Sequence, residues 1–396
     1  MIAHCSTSRL QILLFFSCSF TFSSVFWMLL SFLPEHLKEL GVADSSIGMV
    51  MGIYSLSSLL LMVPLGFLSD GISPKKVLLL GAVATWSHIL GLKGAWKTWH
   101  FMSLAALGGI GWTIFQVVLF ALYLKVITAE DRGKKIAIFH AGQFLGFGVG
   151  PLFAGMLWGQ MDYRSSLDFA LAGAVFLNLC LFGLPDAAAL SLDWKAYRDD
   201  LTQRRTLLFL LVYFLFATHF GVEQTAHTLF MRRELSFTNQ EIGLSYFVTG
   251  IWMGLLAPIA GHRFDVKQNL VFFLGFGLLC CGVFQMGTAW VRDLNGMILL
   301  RVLHTLGDTP VILALGIMTA VYFPKGRMGG NSAVIYTVRV LATFAGNVLA
   351  GFAAPVVGYG GTFIYNGAFI VLGACCLIPL MQRQFATAPS LHADDG

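Results

Sequence analysis

The stretch LQILLFFSCSFTFSSVFWMLLSFL, Leu10–Leu33, runs for 24 residues without Asp, Glu, Lys or Arg. A crossing of a ~30 Å hydrocarbon core takes roughly 20 apolar residues, so this stretch is long enough to span a bilayer. It exceeds the ~7–15-residue apolar region of a signal peptide, and no small-residue cleavage pattern follows it. Working outward, eleven further stretches read the same way: Ser45–Leu68, Lys76–Leu92, Trp99–Lys125, Lys135–Gln160, Ser166–Leu184, Thr206–Met231, Gln240–His262, Gln268–Thr288, Asp293–Phe323, Met328–Ala353 and Thr362–Met381. Twelve spans of about 21 residues leave loops and tails of about eleven residues on average, too short for a soluble catalytic domain. Of the 396 residues, 57% are apolar and 11% charged, against about 25% charged in an ordinary soluble chain. Mean hydropathy is +0.76. A soluble globular enzyme and a disordered protein are both excluded, and the chain reads as an all-α integral membrane protein.

An even number of spans puts both termini on one face. Sixteen Lys and Arg residues fall on that face, in groups such as Lys75-Lys76, Arg132–Lys135 and Arg204-Arg205, and seven on the other. Basic residues accumulate on the cytoplasmic side, so both termini are expected in the cytoplasm, with the chain in the plasma (cell inner) membrane. The same bias explains the net charge of +5 without nucleic acid. The glycines lie within apolar spans, and no phosphate-binding loop follows a strand-like segment, so no nucleotide or other cofactor is expected. Ser, His and Asp are too dispersed to nominate a hydrolase triad. Cys18, Cys180, Cys280, Cys281, Cys375 and Cys376 lie inside spans and read as free thiols.

The chain also repeats itself. A shift of 195 residues carries Leu40 to Leu235, Ile47 to Ile242, Gly48 to Gly243, Gly66 to Gly261, Asp70 to Asp265 and Arg132 to Arg327. With six spans per copy, the halves have the same orientation, a parallel duplication about an axis normal to the membrane. The expected divisions are a six-helix bundle at 1–184, a polar linker at 185–205, a second bundle at 206–381 and a tail at 382–396.

At Gly66–Lys76, GFLSDGISPKK resembles the loop between spans two and three of the major facilitator superfamily. The glycine, the acidic residue and the terminal basic pair match, whereas Gly71 and Ser73-Pro74 depart from the usual basic residue and Gly-Arg. The resemblance implies a cytoplasmic gate at Gly66, Asp70 and Lys75, with Asp265 as its counterpart. In span five, Gly146–Gly155 is similar to that family's G-x-x-x-G-P-x-x-G-G motif, with Ala154 in place of one glycine. That motif is frequent among exporters that exchange solute for protons. Read as residues, Gly146, Gly150, Pro151 and Gly155 mark a surface on which a neighbouring helix can approach closely.

Ionisable residues at membrane depth default to function because they are costly there. His219, Glu223 and His227 share one wedge of span seven. Arg301, His304 and Asp308 share one of span ten, and Arg339 lies in a polar stripe of span eleven with Ser332, Tyr336, Thr343 and Asn347. At ~1.5 Å per residue, Glu223 and Arg301 lie at the same level. The resemblance places spans one, four, seven and ten around a central cavity, so Glu223 and Arg301 are expected to pair there. Glu223 and Asp308 are the candidate proton-coupling sites. His219, His227, Arg301, His304 and Arg339 would line the cavity, opposite Ser24, Trp112, Gln116 and Tyr123. An aromatic and amide wall facing a charged wall suits an amphipathic organic solute. No metal site is expected, since His219 and His227 stand about 12 Å apart along the helix axis. The resulting expectation is a monomeric secondary transporter working by alternating access, which exports a small organic solute in exchange for protons and has lipids as its other partner. Uptake of an organic anion held by Arg339 and Arg301 is one alternative, and a non-transporting membrane scaffold or sensor is another.

Overall fold

The computed structural model describes residues 8–127, 132–158, 160–186, 203–267, 270–322 and 328–385. All its elements are helices. The first span is Arg9–Leu30, continued after a break by Leu33–Glu39 with Pro34 in its first turn. The second to sixth are Asp44–Gly71, Pro74–Gly94, Thr98–Val126, Arg132–Trp158 and Tyr163–Phe182. The seventh is Arg204–Leu229, prolonged by a π turn at Phe230–Glu234, and the next three are Asn239–Lys267, Leu270–Thr288 and Leu294–Tyr322. Eleven of the helices are long and apolar enough to cross a membrane. The last of them, Met328–Phe385, holds two crossings, because its backbone breaks at Gly358 with φ 76°. The chain therefore crosses twelve times and is a multi-pass membrane protein.

A loop at about 354–361 is expected from the sequence, yet helix runs up to and away from one residue there. Glycine at 358 accepts the positive φ without steric cost. The first N–H groups of a helix lack internal partners, and Glu234 of the seventh span supplies them. Its Oε1 accepts from Tyr359 N at 2.6 Å, and both of its oxygens lie 3.4 Å from Gly360 N.

The duplication is visible in the helix starts. Arg9 and Arg204 are separated by 195 residues, as are Asp44 and Asn239, while Thr98 with Leu294 and Arg132 with Met328 differ from that offset by one. The halves meet along two seams, the second span against the eleventh and the fifth against the eighth. Glycines allow the backbones to touch: Gly48 faces Gly351, and Gly148 faces Gly250. Within the fifth span the expected packing surface divides. Gly146 and Gly150 lie on the first span at Phe20 and Ser24, whereas Gly155 faces Asn239 and Gly243 of the eighth. Pro151 stays inside its helix, and its carbonyl lies against Gly243. Large apolar side chains such as Leu80, Val83, Leu179, Phe182, Leu349 and Phe352 are mostly exposed, the inverted surface that a lipid environment accommodates.

Core distribution gives the molecule a direction. On the face of the Glu39–Asp44 and Leu235–Thr238 turns, one apolar cluster unites both halves, with Leu30, Leu33 and Met51 packed among Leu229, Phe230 and Ala354. Toward the face that carries both chain ends, each half has its own cluster, one around Phe15, Phe115 and Phe139 and one around Phe216, Leu278 and Ala314. Two smaller clusters join the halves there. Among the described residues, the halves are thus packed together most extensively at the face away from the chain ends.

Candidate functional site

Polar contacts reinforce that closure. Glu35, almost wholly buried, accepts from Arg233 through both oxygens at 2.7 and 3.1 Å, and Arg232 approaches it at 3.8 Å. Thr228 donates to Ser31 O at 2.5 Å, and Tyr359 donates to Asp44 at 2.7 Å. Each of these joins the first half to the second. Glu35→Gln should loosen this seal, because two guanidinium groups lose the buried carboxylate that both of them approach. The expected result is faster thiol labelling of a cysteine placed at Leu30. Labelling at the wild-type rate would refute it.

Between the halves, beneath this closure, lies a cavity whose empty space is about 1420 Å³, including the part open to solvent. The first half contributes Phe26, Trp27, Trp112, Gln116 and Phe120. The second contributes Glu223, Arg301, Asp308 and Arg339. Arg301 grips Glu223 with both terminal nitrogens, one of them at 3.2 Å. The guanidinium of Arg339 sits 4.8 Å from the centre of the Phe220 ring, a cation–π distance. Among the described residues no carboxylate pairs with Arg339. Asn347 ties the seam to the site, donating to Gln224 Oε1 at 3.1 Å and accepting from Thr225 at 2.8 Å.

Of the residues expected at the cavity from sequence, Trp112, Gln116, Glu223, Arg301, Asp308 and Arg339 line it. Five expected residues do not. Ser24 turns its hydroxyl to Phe20 O at 2.9 Å and lies in the seam with the fifth span. Tyr123 packs between Phe15 and Phe139 and donates to Lys135 O at 2.7 Å. The reason is a π turn at Phe115–Leu119. One extra residue per turn rotates everything after it, so Tyr123 leaves the face that holds Trp112. His219 and His304 sit behind the cavity wall within the second half, and His227 is enclosed by Tyr246 and Phe363. Sequence reasoning missed Tyr54, Gln224 and Tyr246. Gln224 follows Glu223 directly, and Tyr54 is a polar ring in an apolar span, but neither gives a periodic signal.

Of the four residues expected at the gate, only Lys75 has surroundings among the described residues. Lys75 donates to Phe182 O at 2.7 Å and Leu184 O at 3.1 Å, so it caps the sixth span within its own half. Unpaired carbonyls at a helix C-terminus attract an ammonium group. Ser73, the N-cap of the third span, donates to Asp186 at 2.5 Å. Gly66, Asp70 and Asp265 lie near the ends of the second and eighth spans, and their surroundings are outside the described residues, as is 187–202 of the linker.

The Major Facilitator Superfamily model matches residues 15–225, and the chain belongs to that family. It is 21% identical to an uncharacterized MFS-type transporter of Methanocaldococcus jannaschii, over 85% of this chain and 90% of that one. It is also 21% identical to the quinolone resistance protein NorA of Staphylococcus aureus, covering 81% and 83%. Among solved structures, the human organic anion transporter MFSD10 superposes with a TM-score of 0.76 at 18% identity, over 93% of this chain and 99% of that one. The fold is that of MFS transporters.

Proposed function

We propose that this chain is a secondary active transporter that moves a small amphipathic organic solute by alternating access, in exchange for protons, with export as its direction. The observation that carries the reading is the cavity between the halves, aromatic on one wall and charged on the other, sealed toward one face. With both termini in the cytoplasm, as the basic residues suggest, the sealed face is external and the structure is inward-facing. An organic body fits the Phe26, Trp27 and Trp112 wall, and its polar end meets Arg301 and Arg339. Glu223 is the favoured coupling carboxylate, with Asp308 second. A proton on Glu223 removes the attraction that holds Arg301, so the wall presents a different charge to the solute in each protonation state. Differential contact of this kind is what a ligand needs to shift a conformational equilibrium. A relative bearing the name quinolone resistance protein supports export.

A second reading is transport of an organic anion, including its uptake. Arg339, which lacks a carboxylate partner among the described residues, favours it, and the likeness to an organic anion transporter agrees. One experiment addresses both readings. Proteoliposomes with a trapped pH dye would be challenged with lipophilic cations and with organic anions. Solute-evoked proton flux, lost in Glu223→Gln, is the expected result. Flux evoked by anions and lost also in Arg339→Gln would establish the second reading. Silence across the panel, with no uptake of the same labelled solutes, would refute both and favour a scaffold or sensor.

A further inference from the structure

Behind the cavity wall, four side chains from three spans converge. They are His219 of the seventh, Cys281 of the ninth, and His304 and Asp308 of the tenth. All four are buried, and one donor atom from each lies within 4.8 Å of the others. His219 Nδ1 donates to Phe216 O at 2.5 Å, and His304 Nδ1 donates to Cys281 O at 3.0 Å. A carbonyl oxygen can only accept, so both rings carry a proton on Nδ1 and, when neutral, aim a bare Nε2 lone pair inward.

Those lone pairs meet other electron-rich atoms. Asp308 Oδ2 stands 3.2 Å from His304 Nε2 and 3.6 Å from His219 Nε2, and Cys281 Sγ stands 4.0 Å from His304 Nε2. Glu223 Oε1 is 3.4 Å from the same nitrogen. These separations are longer than charge-assisted hydrogen bonds of ~2.7–2.9 Å. Among the described residues, His219 Nε2 and Asp308 Oδ1 have no hydrogen-bond partner although both are buried.

The spacing suits another arrangement. A tetrahedral ion bound at ~2.0–2.1 Å places neighbouring nitrogen and oxygen ligands about 3.4 Å apart, and a sulfur at ~2.3 Å about 3.6 Å from a nitrogen. The charge suits it too. The carboxylate and a thiolate together balance a divalent cation, while Glu223 and Arg301 balance each other. Metal-bound histidines characteristically donate their other nitrogen to a carbonyl or carboxylate, as both rings do here. Asp308 also lines the cavity, which provides a route of entry.

We propose that His219, Cys281, His304 and Asp308 form a tetrahedral site for a divalent transition-metal ion. The mixed nitrogen, sulfur and oxygen set favours zinc. The site goes beyond the transport reading and does not depend on it. With the ion bound, Asp308 is a ligand, and Glu223 alone is left as the coupling carboxylate. The pair whose separation argued against an ion, His219 and His227, is not the pair that the fold brings together.

The test uses the full chain, purified in detergent, stripped with a chelator and titrated with Co²⁺. The expected result is saturation at one ion per chain, tetrahedral absorption bands in the visible, and a thiolate-to-cobalt charge-transfer band in the near ultraviolet. Zinc should displace the cobalt and bleach both. Cys281→Ser should remove the charge-transfer band while the visible bands remain. His304→Gln should weaken cobalt binding by at least about tenfold, the lower end of what loss of an outer-shell partner costs. If His304→Gln fails to fold, Cys281→Ser still decides through the charge-transfer band. Binding that does not saturate at one ion, an octahedral spectrum, or a charge-transfer band that survives Cys281→Ser would overturn the proposal.

Discussion

Arg301→Ala should destabilise the protein by about 3–5 kcal/mol and abolish transport, the scale for removing one partner of a buried ion pair. Arg301 is 3% exposed and holds Glu223 through two hydrogen bonds. Truncation strands a carboxylate at membrane depth without the guanidinium that holds it. The penalty comes from the orphaned charge more than from the lost attraction. Arg301→Met with Glu223→Met should therefore recover most of the stability, since apolar residues of similar volume can replace a buried pair at little cost. Transport should stay absent in the double variant, because the cavity wall has lost both charges. Melting temperature in detergent, followed by tryptophan fluorescence, measures the first effect, and the proteoliposome assay measures the second. A single variant that melts with the wild type would show that the pair is dispensable to the fold.

Gly250→Val should lower transport by at least about tenfold. A methyl on Gly250 meets Gly148 Cα and Phe144 O, each at 2.5 Å. Both neighbours are backbone, so neither can swing aside as a flexible side chain would. Overpacking in a filled interior costs about 1–3 kcal/mol, and here the strain falls on the seam along which the proposed alternating access would move the two halves. Gly94→Ala is the matched control, because nothing lies within 4 Å of the added methyl. Initial uptake rates, normalised to protein that elutes as a single species in gel filtration, decide the matter. Equal rates for the two variants would show that this seam tolerates separation.

The twelve crossings, the duplication and the level shared by Glu223 and Arg301 were all legible in the residues alone. Each depends on a local regularity: a bilayer sets how many apolar residues a span needs, and a constant helical rise sets how deep each residue lies. The shift of 195 residues reappears in the helix starts for the same reason, since span lengths and loop lengths are properties of the chain.

Direction around each helix was another matter. Tyr123 shares a face with Trp112 on an ideal α-helix, and the π turn at Phe115–Leu119 moves it into the core of its own half. No residue type in that segment announces a π turn. Ser24 looked like cavity lining and became a packing surface, because the fifth span presents glycines to it. Lys75 caps a helix end that lies more than a hundred residues away in sequence. Cys281 read only as a free thiol inside a span, and the fold sets it beside two histidines and an aspartate from other spans. The sequence alone determined how many spans there are, how deep each residue sits and that the halves are copies, because bilayer thickness and helical rise act on every segment separately. Tertiary structure alone decided which side chains face one another, because azimuth is set by the helices packed alongside.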